Sequence, residues 1–590
     1  MVEQEKVATK WSEKLGYGVT DWLLVFCLFS IYAGSVTPEV NESHYWVKAS
    51  HFWNPGFVSR DLFAGSKDAH WFFFATVGSL TRFFSLPTAT WIGRILGWAV
   101  LSFAWCFFVR KFSSLKLPGV LTAGCWIAAT HWGHLSGEWV VGGCEAKVFA
   151  YASAFLGLGF FIERSYGWGW IWLGVASAFH VVTGGWAVLC AMLVLWASNG
   201  WNFLSQQSSA KRADEMHSNS SGLINLLSPS KTIGRIGIHW DLWGGLFVGG
   251  ALSLPGLLPA LALQSGVSLV DQDRGAIIYA FQRLPHHLVP TRFATERWWS
   301  FVVLLVTTTA VIVMVRKLAS RNSSTNQNAS LAAESDVQFA ERLMTRYRVL
   351  VQLAVGFVGI ALAGLLVDVS LSSWATNWSA SLLRYYWFRW NDVIWPTVLV
   401  ISLLLLLEKS INGLRVFRYL SIVALILPGV FVLGSQYISH YRDSISPADH
   451  ATLLLRNETP QAQRQVHRDW LDMCSFIRAN TPENALFLTP RFQQTFKWNA
   501  CRAEFVCWKD SPQDALSLIE WETRLMKLFP RNKDGYGIPL SDRILFELSS
   551  DYNIDYVLID RRIQKTPPVQ EFIHSNATFA LFRVIKFDAD

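Results

Sequence analysis

PEVNESHYWVKASHFWNPGFVSRDLFAGSKD, residues 38–68, follows the first hydrophobic segment and sets Glu39, Glu42, Asp61 and Asp68 among His, Tyr, Trp, Lys and Arg side chains. The segments on either side are apolar enough to lie in lipid. Charges that close to a bilayer cost free energy unless they face water or one another. The stretch therefore reads as a functional loop between membrane helices, and the chain as a mainly α, polytopic membrane protein.

The remaining composition agrees. Of 590 residues, 52% are hydrophobic and 16% charged, where soluble proteins carry about 25% charge; mean hydropathy is +0.27. Thirty tryptophans suit interfacial belts, although Trp also stacks on sugar rings. Net charge is +8, but the division of Lys and Arg between loops is what sets orientation. No basic tract with interleaved aromatics points to nucleic acid as a partner. Cys27, Cys106, Cys125, Cys144 and Cys190 lie in or beside apolar segments without metal-type spacing and read as small packed hydrophobes.

Residues 22–36 read as an uncleaved signal anchor with the N-terminus inside. If residues 70–86 crossed the bilayer, the next segment would deliver Arg110, Lys111 and Lys116 to the outside, against the positive-inside rule. An amphipathic helix over 70–86, lying on the outer surface, is expected instead within a first outer loop of residues 37–87. Further spans are expected at 88–109, 120–132, 144–162, 167–180, 182–196, 242–263, 298–315, 350–367, 393–407 and 419–433, about eleven in all with the anchor. Lys211, Arg212, Lys231 and Arg235, then Arg316, Lys317, Arg321, Arg342, Arg346 and Arg348, then Lys409, Arg415 and Arg418 fall in or beside the inner loops so defined. The tracts 205–221 and 321–336 read as flexible cytoplasmic linkers.

An odd span count leaves the C-terminus outside. Residues 1–437 are the membrane domain, and 438–590 read as an extracytoplasmic α/β domain. In the latter, helices are expected at 464–478, 512–528 and 542–549, with strands at 485–489, 556–560 and 578–585. Cys474, Cys501 and Cys507 sit where a disulfide is permitted; Cys501 and Cys507 are the nearest pair, and the pairing stays open.

The chemically unusual clusters all map to the outer side. Helical spacing puts Glu42 on one face with Tyr45 and Trp46, beside His44, and the Trp53-Asn54-Pro55-Gly56 turn folds Asp61 back toward it. Two converging carboxylates can hold a divalent cation, Mg or Mn, or one can take a proton from an attacking hydroxyl. In HWGHLSGEWVVGGCEAK, residues 131–147, His131, His134 and Glu138 recur at helical spacing, while Glu145 and Lys147 open the next span. An HxxH without further ligands is more often a hydrogen-bonded pair than a metal site. His180 points to the same level. YAFQRLPHHLVP contributes Arg283, His286 and His287, and LLRYYWFRWND contributes Arg384, Arg389 and Asp392. Guanidinium and imidazole groups beside aromatic rings suit a lipid-linked phosphate. Arg94, inside the second span, calls for an acidic partner from the opening stretch.

A first span, a long acidic outer loop, then a second span closing on Val109-Arg110-Lys111 resembles the GT-C superfamily of integral-membrane glycosyltransferases. FLTPRFQQTFKW, WKDSPQDA and YNIDYVLID, with NESHYWVKASHFW and FQRLPHHLVP earlier, also resemble an uncharacterised bacterial membrane family of unknown function. The GT-C resemblance implies a multi-pass protein of the bacterial cytoplasmic (inner) membrane that takes a sugar from a polyprenyl-phosphate- or polyprenyl-diphosphate-linked donor to an extracytoplasmic glycan, lipid or protein acceptor. It makes Glu42 the base, Asp61 a second acid and Arg389 the donor-phosphate contact. The first outer loop departs from that pattern in having no Asp-Asp, Asp-x-Asp or Glu-x-Asp pair, which leaves the metal and the base open. A transporter or flippase of cell-envelope precursors, or a non-catalytic assembly protein, is the alternative.

Overall fold

A computed structural model describes residues 2–198, 240–325, 331–409, 415–442, 444–455, 457–529 and 540–585. The helices run α1 (Val2–Ala33), α2 (Glu42–Trp53), α3 (Leu62–Gly65), α4 (Trp71–Ala75), α5 (Leu86–Val109), α6 (Pro118–Gly133), α7 (Ala146–Ile162), α8 (Tyr166–Phe179), α9 (Val181–Ser198), α10 (Trp240–Ala262) and α11 (Leu269–Ile277). They continue as α12 (Pro285–Leu288), α13 (Thr295–Thr325), α14 (Leu331–Leu371), α15 (Thr376–Leu383), α16 (Asn391–Lys409) and α17 (Arg415–Arg442). In the C-terminal part, α18 (Pro447–Thr452), α19 (Pro460–Asn480), α20 (Phe496–Ala500), α21 (Ala515–Leu528) and α22 (Asp542–Tyr552) surround strands β1 (Leu486–Leu488), β2 (Ala503–Glu504), β3 (Tyr556–Asp560), β4 (Glu571–Ser575) and β5 (Phe579–Arg583).

Among the described residues, eight helices are long and apolar enough to cross a membrane: α1 over Gly16–Ala33, α5, α9, α10, α13, α14, α16 and α17. The chain is a multi-pass membrane protein. About eleven spans were expected; the difference is α6, α7 and α8, which have 16, 17 and 14 residues. At 1.5 Å per residue these fall short of a hydrocarbon core of about 30 Å. Their apolar composition serves burial within the bundle: nearly every residue of α7 is enclosed.

Polar residues inside the bundle are tied down. Asp21 of α1 is fully buried, accepts from Gly119 N and Val120 N at 3.0 and 2.9 Å, and pairs with Arg110 at 3.1 Å. A carboxylate at the N-terminus of α6 meets its unpaired N–H groups and its dipole. Helices α8 and α10 approach through glycine, since a Cβ on Gly174 would lie 2.1 Å from Gly249 O.

The expected amphipathic helix over 70–86 is instead three pieces: α4, a 3-10 turn over Val77–Arg82, and Ser85 in extended conformation before α5. Tertiary packing overrides the helical pattern here. Gly78 lies against α2, where a Cβ would meet Ala49 Cβ at 2.9 Å, and Arg82 stacks over Trp53 at 4.7 Å. The tract 321–336, expected as a linker, is helical where described, as the end of α13 and the start of α14; the tract 205–221 lies outside the described residues.

The C-terminal sheet has the order β2-β1-β3-β5-β4, with β1 parallel to β2 and β3, and β5 antiparallel to β3 and β4. Strand alternation sends Phe487, Tyr556 and Leu558 toward Trp470, Met473 and Ile477 of α19. Leu486, Leu488, Val557 and Ile559 face the other way, toward Trp521 and Leu525 of α21 and Leu545 of α22. Cys474, Cys501 and Cys507 are all free thiols, so the nearest pair is not bridged.

This domain is docked on the 38–70 loop. Arg60 reaches Asp555 at 2.5 Å and the carbonyls of Tyr552 and Asn553 at 3.2 and 2.6 Å. Lys67 N and Ala69 N donate to Asp514 and Gln513 at 3.1 and 3.0 Å. One apolar cluster runs from Trp46, Phe73 and Phe74 to the α21 face of the sheet.

Candidate active-site cavity

A cavity of about 730 Å³ opens where the 38–70 loop, the membrane helices and the C-terminal domain meet. Helix α2 supplies His44, Tyr45 and Lys48, with His44 and Lys48 one turn apart. The following loop adds Asp68 and His70, the segment before α7 adds Glu138 and Glu145, and the first turn of α7 adds Lys147. His180, at the break between α8 and α9, lines the cavity with Tyr279, Arg283, His287, Arg384, Tyr386, Arg389, and Lys509 and Gln513 of the C-terminal domain.

Ion pairs order this wall. Lys48 meets Asp68 at 3.3 Å, Lys147 meets Glu145 and Glu138 at 3.5 and 3.6 Å, and Arg389 Nε meets Glu138 at 3.0 Å. Arg389 Nη1 donates to His180 Nε2 at 2.8 Å, which requires an unprotonated nitrogen there. Burial, then Arg389, hold the His180 imidazolium well below its usual range. Burial likewise lowers His44, with Lys509 adding to it, and pushes His287 down to about 3. For Asp68 burial works upward, but Lys48 and His70 outweigh it and hold the carboxyl well below the usual range.

Asp68 Oδ1 lies 2.7 Å from His70 Nδ1, and His70 Nε2 lies 3.2 Å from Tyr45 Oη. A carboxylate on one ring nitrogen fixes the tautomer and leaves a lone pair on the other. Burial raises the Tyr45 phenol well above its usual range, so its O–H donates to that lone pair and Tyr45, His70 and Asp68 form a base-type relay on the cavity wall.

His44, Tyr45, Glu138, Glu145, Lys147, His180, Arg283, His287, Arg384 and Arg389, all singled out from sequence, line this one cavity. Glu42, Asp61, Arg94, His286 and Asp392 do not. Arg94 has the acidic partner expected of it: its Nε and Nη2 donate to the two oxygens of Glu42. Asp61 caps α3 and pairs with Lys497 at 3.1 Å. Glu42 and Asp61 thus belong to separate clusters. Asp392 accepts from Leu135 N, Ser136 N and Glu138 N at 2.7, 2.9 and 3.1 Å, so it positions the Glu138 loop.

Asp68, His70, Lys48, Tyr279, Tyr386, Lys509 and Gln513 were not singled out as site residues. The Asp-x-His spacing of 68–70 was the available signal for two of them; the others are brought in by tertiary docking. His131 and His134 line a second cavity of about 300 Å³ with Glu39, Gln436 and His440. His131 is engaged by Tyr32 Oη at 2.9 Å.

A divalent cation on Glu42 and Asp61 does not fit these residues. The Glu42 oxygens accept from Arg94, Cys144 N and Glu39 N, and those of Asp61 from Lys497, Ala64 N and Glu504 N. Glu504, Cys507 and Asp510 cluster with metal-type spacing, but Lys497 Nζ sits 3.1 and 2.6 Å from the two carboxylates and supplies the counter-charge.

Residues 468–528 match a family described as a domain of unknown function (DUF6798). No curated protein matches the chain. Among solved structures, the chain is similar to the oligosaccharyltransferase of Archaeoglobus fulgidus in complex with zinc and sulfate, at 12% identity and a TM-score of 0.34, over 93% of this chain and 68% of that one.

Proposed function

We propose that this chain is a GT-C-type glycosyltransferase of the bacterial cytoplasmic membrane, with its N-terminus inside and its C-terminal domain outside. It moves a sugar from a polyprenyl-phosphate-linked donor to an extracytoplasmic glycan, lipid or protein acceptor. The cavity carries this reading: it is rich in cations, walled by aromatic rings, and continues onto apolar side chains of membrane helices, among them Leu189 and Ala260. Arg389 and Arg384 suit the donor phosphate, Tyr45, Trp139 and Trp186 suit sugar faces, and the apolar end suits a prenyl chain.

In the transfer, the acceptor oxygen bonds to the anomeric carbon as the bond from that carbon to the phosphate oxygen breaks. The electron pair leaves with the lipid phosphate, and the acceptor proton passes to Tyr45 Oη as the Tyr45 hydroxyl proton moves to His70 Nε2, with Asp68 stabilising the imidazolium. Glu42, bound on both oxygens by Arg94, is a structural residue in this scheme.

A strain lacking the chain tests the reading by lipid analysis. Accumulation of a polyprenyl-linked sugar, reversed by wild-type protein and not by His70→Gln, is expected. An unchanged pool of polyprenyl-linked sugars would count decisively against it.

A further inference from the structure

Among the large apolar side chains outside the spans, four of the most exposed come from two neighbouring short helices. Leu269, Val270, Trp374 and Trp378 are 78%, 77%, 76% and 72% exposed. Leu269 and Val270 open α11, Trp378 lies in α15, and Trp374 lies in the turn that leads to it. The inner faces of the two helices are small: Gly275, Ala276 and Ala380 are buried, and Ala276 and Ala380 share one apolar cluster. At about 100° per residue, Ala380 stands roughly opposite Trp378. Helices that face water put bulky apolar residues inside and polar ones outside. This pair does the reverse.

Continuity with the spans says what covers that face. Leu254, Leu258 and Leu261 on α10, and Leu362, Leu366 and Val369 on α14, recur at i, i+4 and i+7, are exposed, and belong to helices long and apolar enough to cross the membrane. Both stripes are lipid-facing surface. The chain leaves α14 at Leu371 and reaches Trp374 three residues on, a distance of at most about 10 Å. The headgroup layer adds about 5–8 Å to each face of the hydrocarbon core. Trp374 Nε1 donates to Ser370 O at 2.6 Å, so its N–H is satisfied from within the chain and its ring can lie among lipids. Helix α11 packs on α15, and Asn377 Nδ2 donates to Asp273 at 2.9 Å, which ties α11 to the same level.

We propose that α11 and α15 form a paired interfacial anchor, which inserts Leu269, Val270, Trp374 and Trp378 into the leaflet nearest the C-terminal domain. None of the four lines the large cavity, and the inference does not rest on the glycosyl-transfer reading. The partner is the phospholipid bilayer, engaged through apolar area. The two helices carry Asp271, Asp273 and Arg274, with no excess of cations that would call for anionic headgroups. Helix α11 also meets the C-terminal domain: Arg274 pairs with Glu522 at 3.3 Å, and a Cβ on Gly275 would lie 2.9 Å from Ala515 Cβ. The anchor thereby holds that domain against the membrane.

Photo-crosslinking of the full chain in phosphatidylcholine nanodiscs tests this. Benzoylphenylalanine is placed singly at Val270 and at Trp378, with Leu366 as the lipid-facing reference and the exposed Arg543 of α22 as the water-facing one. Mass spectrometry is expected to find phospholipid adducts at Val270 and Trp378 in yields comparable to that at Leu366, and none at Arg543. Loss of adducts at both positions would overturn the anchor, and adducts at one helix alone would overturn the pairing. Cross-linked dimers in place of lipid adducts would assign the face to a second copy of the chain and overturn the anchor equally. Leu269 and Trp374 carry the label if a first position does not fold. The readout is adduct formation rather than transfer, so either reading can fail without the other.

Discussion

Arg94 grips Glu42 with Nε and Nη2 at 2.7 and 2.6 Å, and neither side chain has any solvent exposure. Glu39 N and Cys144 N also donate to that carboxylate, at 2.7 and 2.6 Å, while Arg94 Nη1 donates to Ser35 O at 2.6 Å. The pair joins the end of α1, the start of α2, the middle of α5 and the segment before α7. Removing one partner of such a pair strands the other charge, at a cost of about 3–5 kcal/mol. Glu42→Ala is therefore expected to lower the melting temperature sharply and cut the yield of folded protein, and Glu42→Leu with Arg94→Met to recover much of both. Size-exclusion profiles and thermal melts in detergent check this. A Glu42→Ala protein that melts like wild type but has lost transfer would return Glu42 to the role of base.

Lys497 binds three carboxylates, Asp61 and Glu504 at 3.1 Å and Asp510 at 2.6 Å, leaving an excess of negative charge under the docked loop. Burial raises Glu504 and Asp510; Lys497 opposes it, and the neighbouring carboxylates add to it. A carboxyl raised in the folded state contributes stability that is full below its unfolded value and is lost as pH rises through the folded one. The docked domain is accordingly expected to melt higher at mildly acid pH than at neutral pH. Glu504→Gln should flatten that slope, read by melting temperature across the pH range. An unchanged slope in the variant would exclude Glu504 as its source.

Asp392 holds the backbone of Leu135, Ser136 and Glu138, and its position at the start of α16 makes it the anchor of the loop that carries Glu138 to Arg389. Charge-assisted hydrogen bonds of this kind contribute roughly 1.5–3 kcal/mol each. Asp392→Asn keeps the shape but loses acceptor strength, so binding of a prenyl phosphate is expected to weaken by about tenfold with the fold retained. Retained affinity, measured by calorimetry beside an unchanged circular dichroism spectrum, would show that the Glu138 loop is held by other contacts.

Elements whose burial is periodic were legible in the sequence, and groups whose role depends on distant partners were not. The strand Tyr556–Asp560 was expected with these bounds because YVLID is an apolar run ending at a turn. Strand β2, with two residues, and β4, exposed along most of its length, carry no such pattern. Among the first-loop acids, local charge singled out Glu42 and Asp61 over Asp68. Arg94 lies 52 positions from Glu42 and Lys497 lies 436 from Asp61, and those distant cations take both acids away from the cavity. Asp68 keeps its place there because its partners, Lys48 and His70, are local. Lys509 sits in a polar WKD stretch that reads as surface; only the docking of its domain brings it beside Arg283.

His70 and Asp68 separate chemistry from scaffolding. His70 Nδ1 is 2.7 Å from Asp68 Oδ1, so a neutral His70 donates there and presents Nε2 to Tyr45 and the cavity. A positioned base contributes about 10²–10⁴-fold to a proton transfer. His70→Gln is expected to lower kcat by at least about a hundredfold with donor binding retained. Asp68→Asn should act through His70: a smaller fall in kcat with donor binding retained, because the carboxylate that fixes the ring and stabilises the imidazolium is gone. Initial rates with a polyprenyl-linked sugar, beside donor binding by calorimetry, distinguish the two variants. If both lose donor binding instead of kcat, the dyad holds the donor, and the acceptor proton goes to Glu138 or Glu145, the remaining carboxylates of the cavity wall.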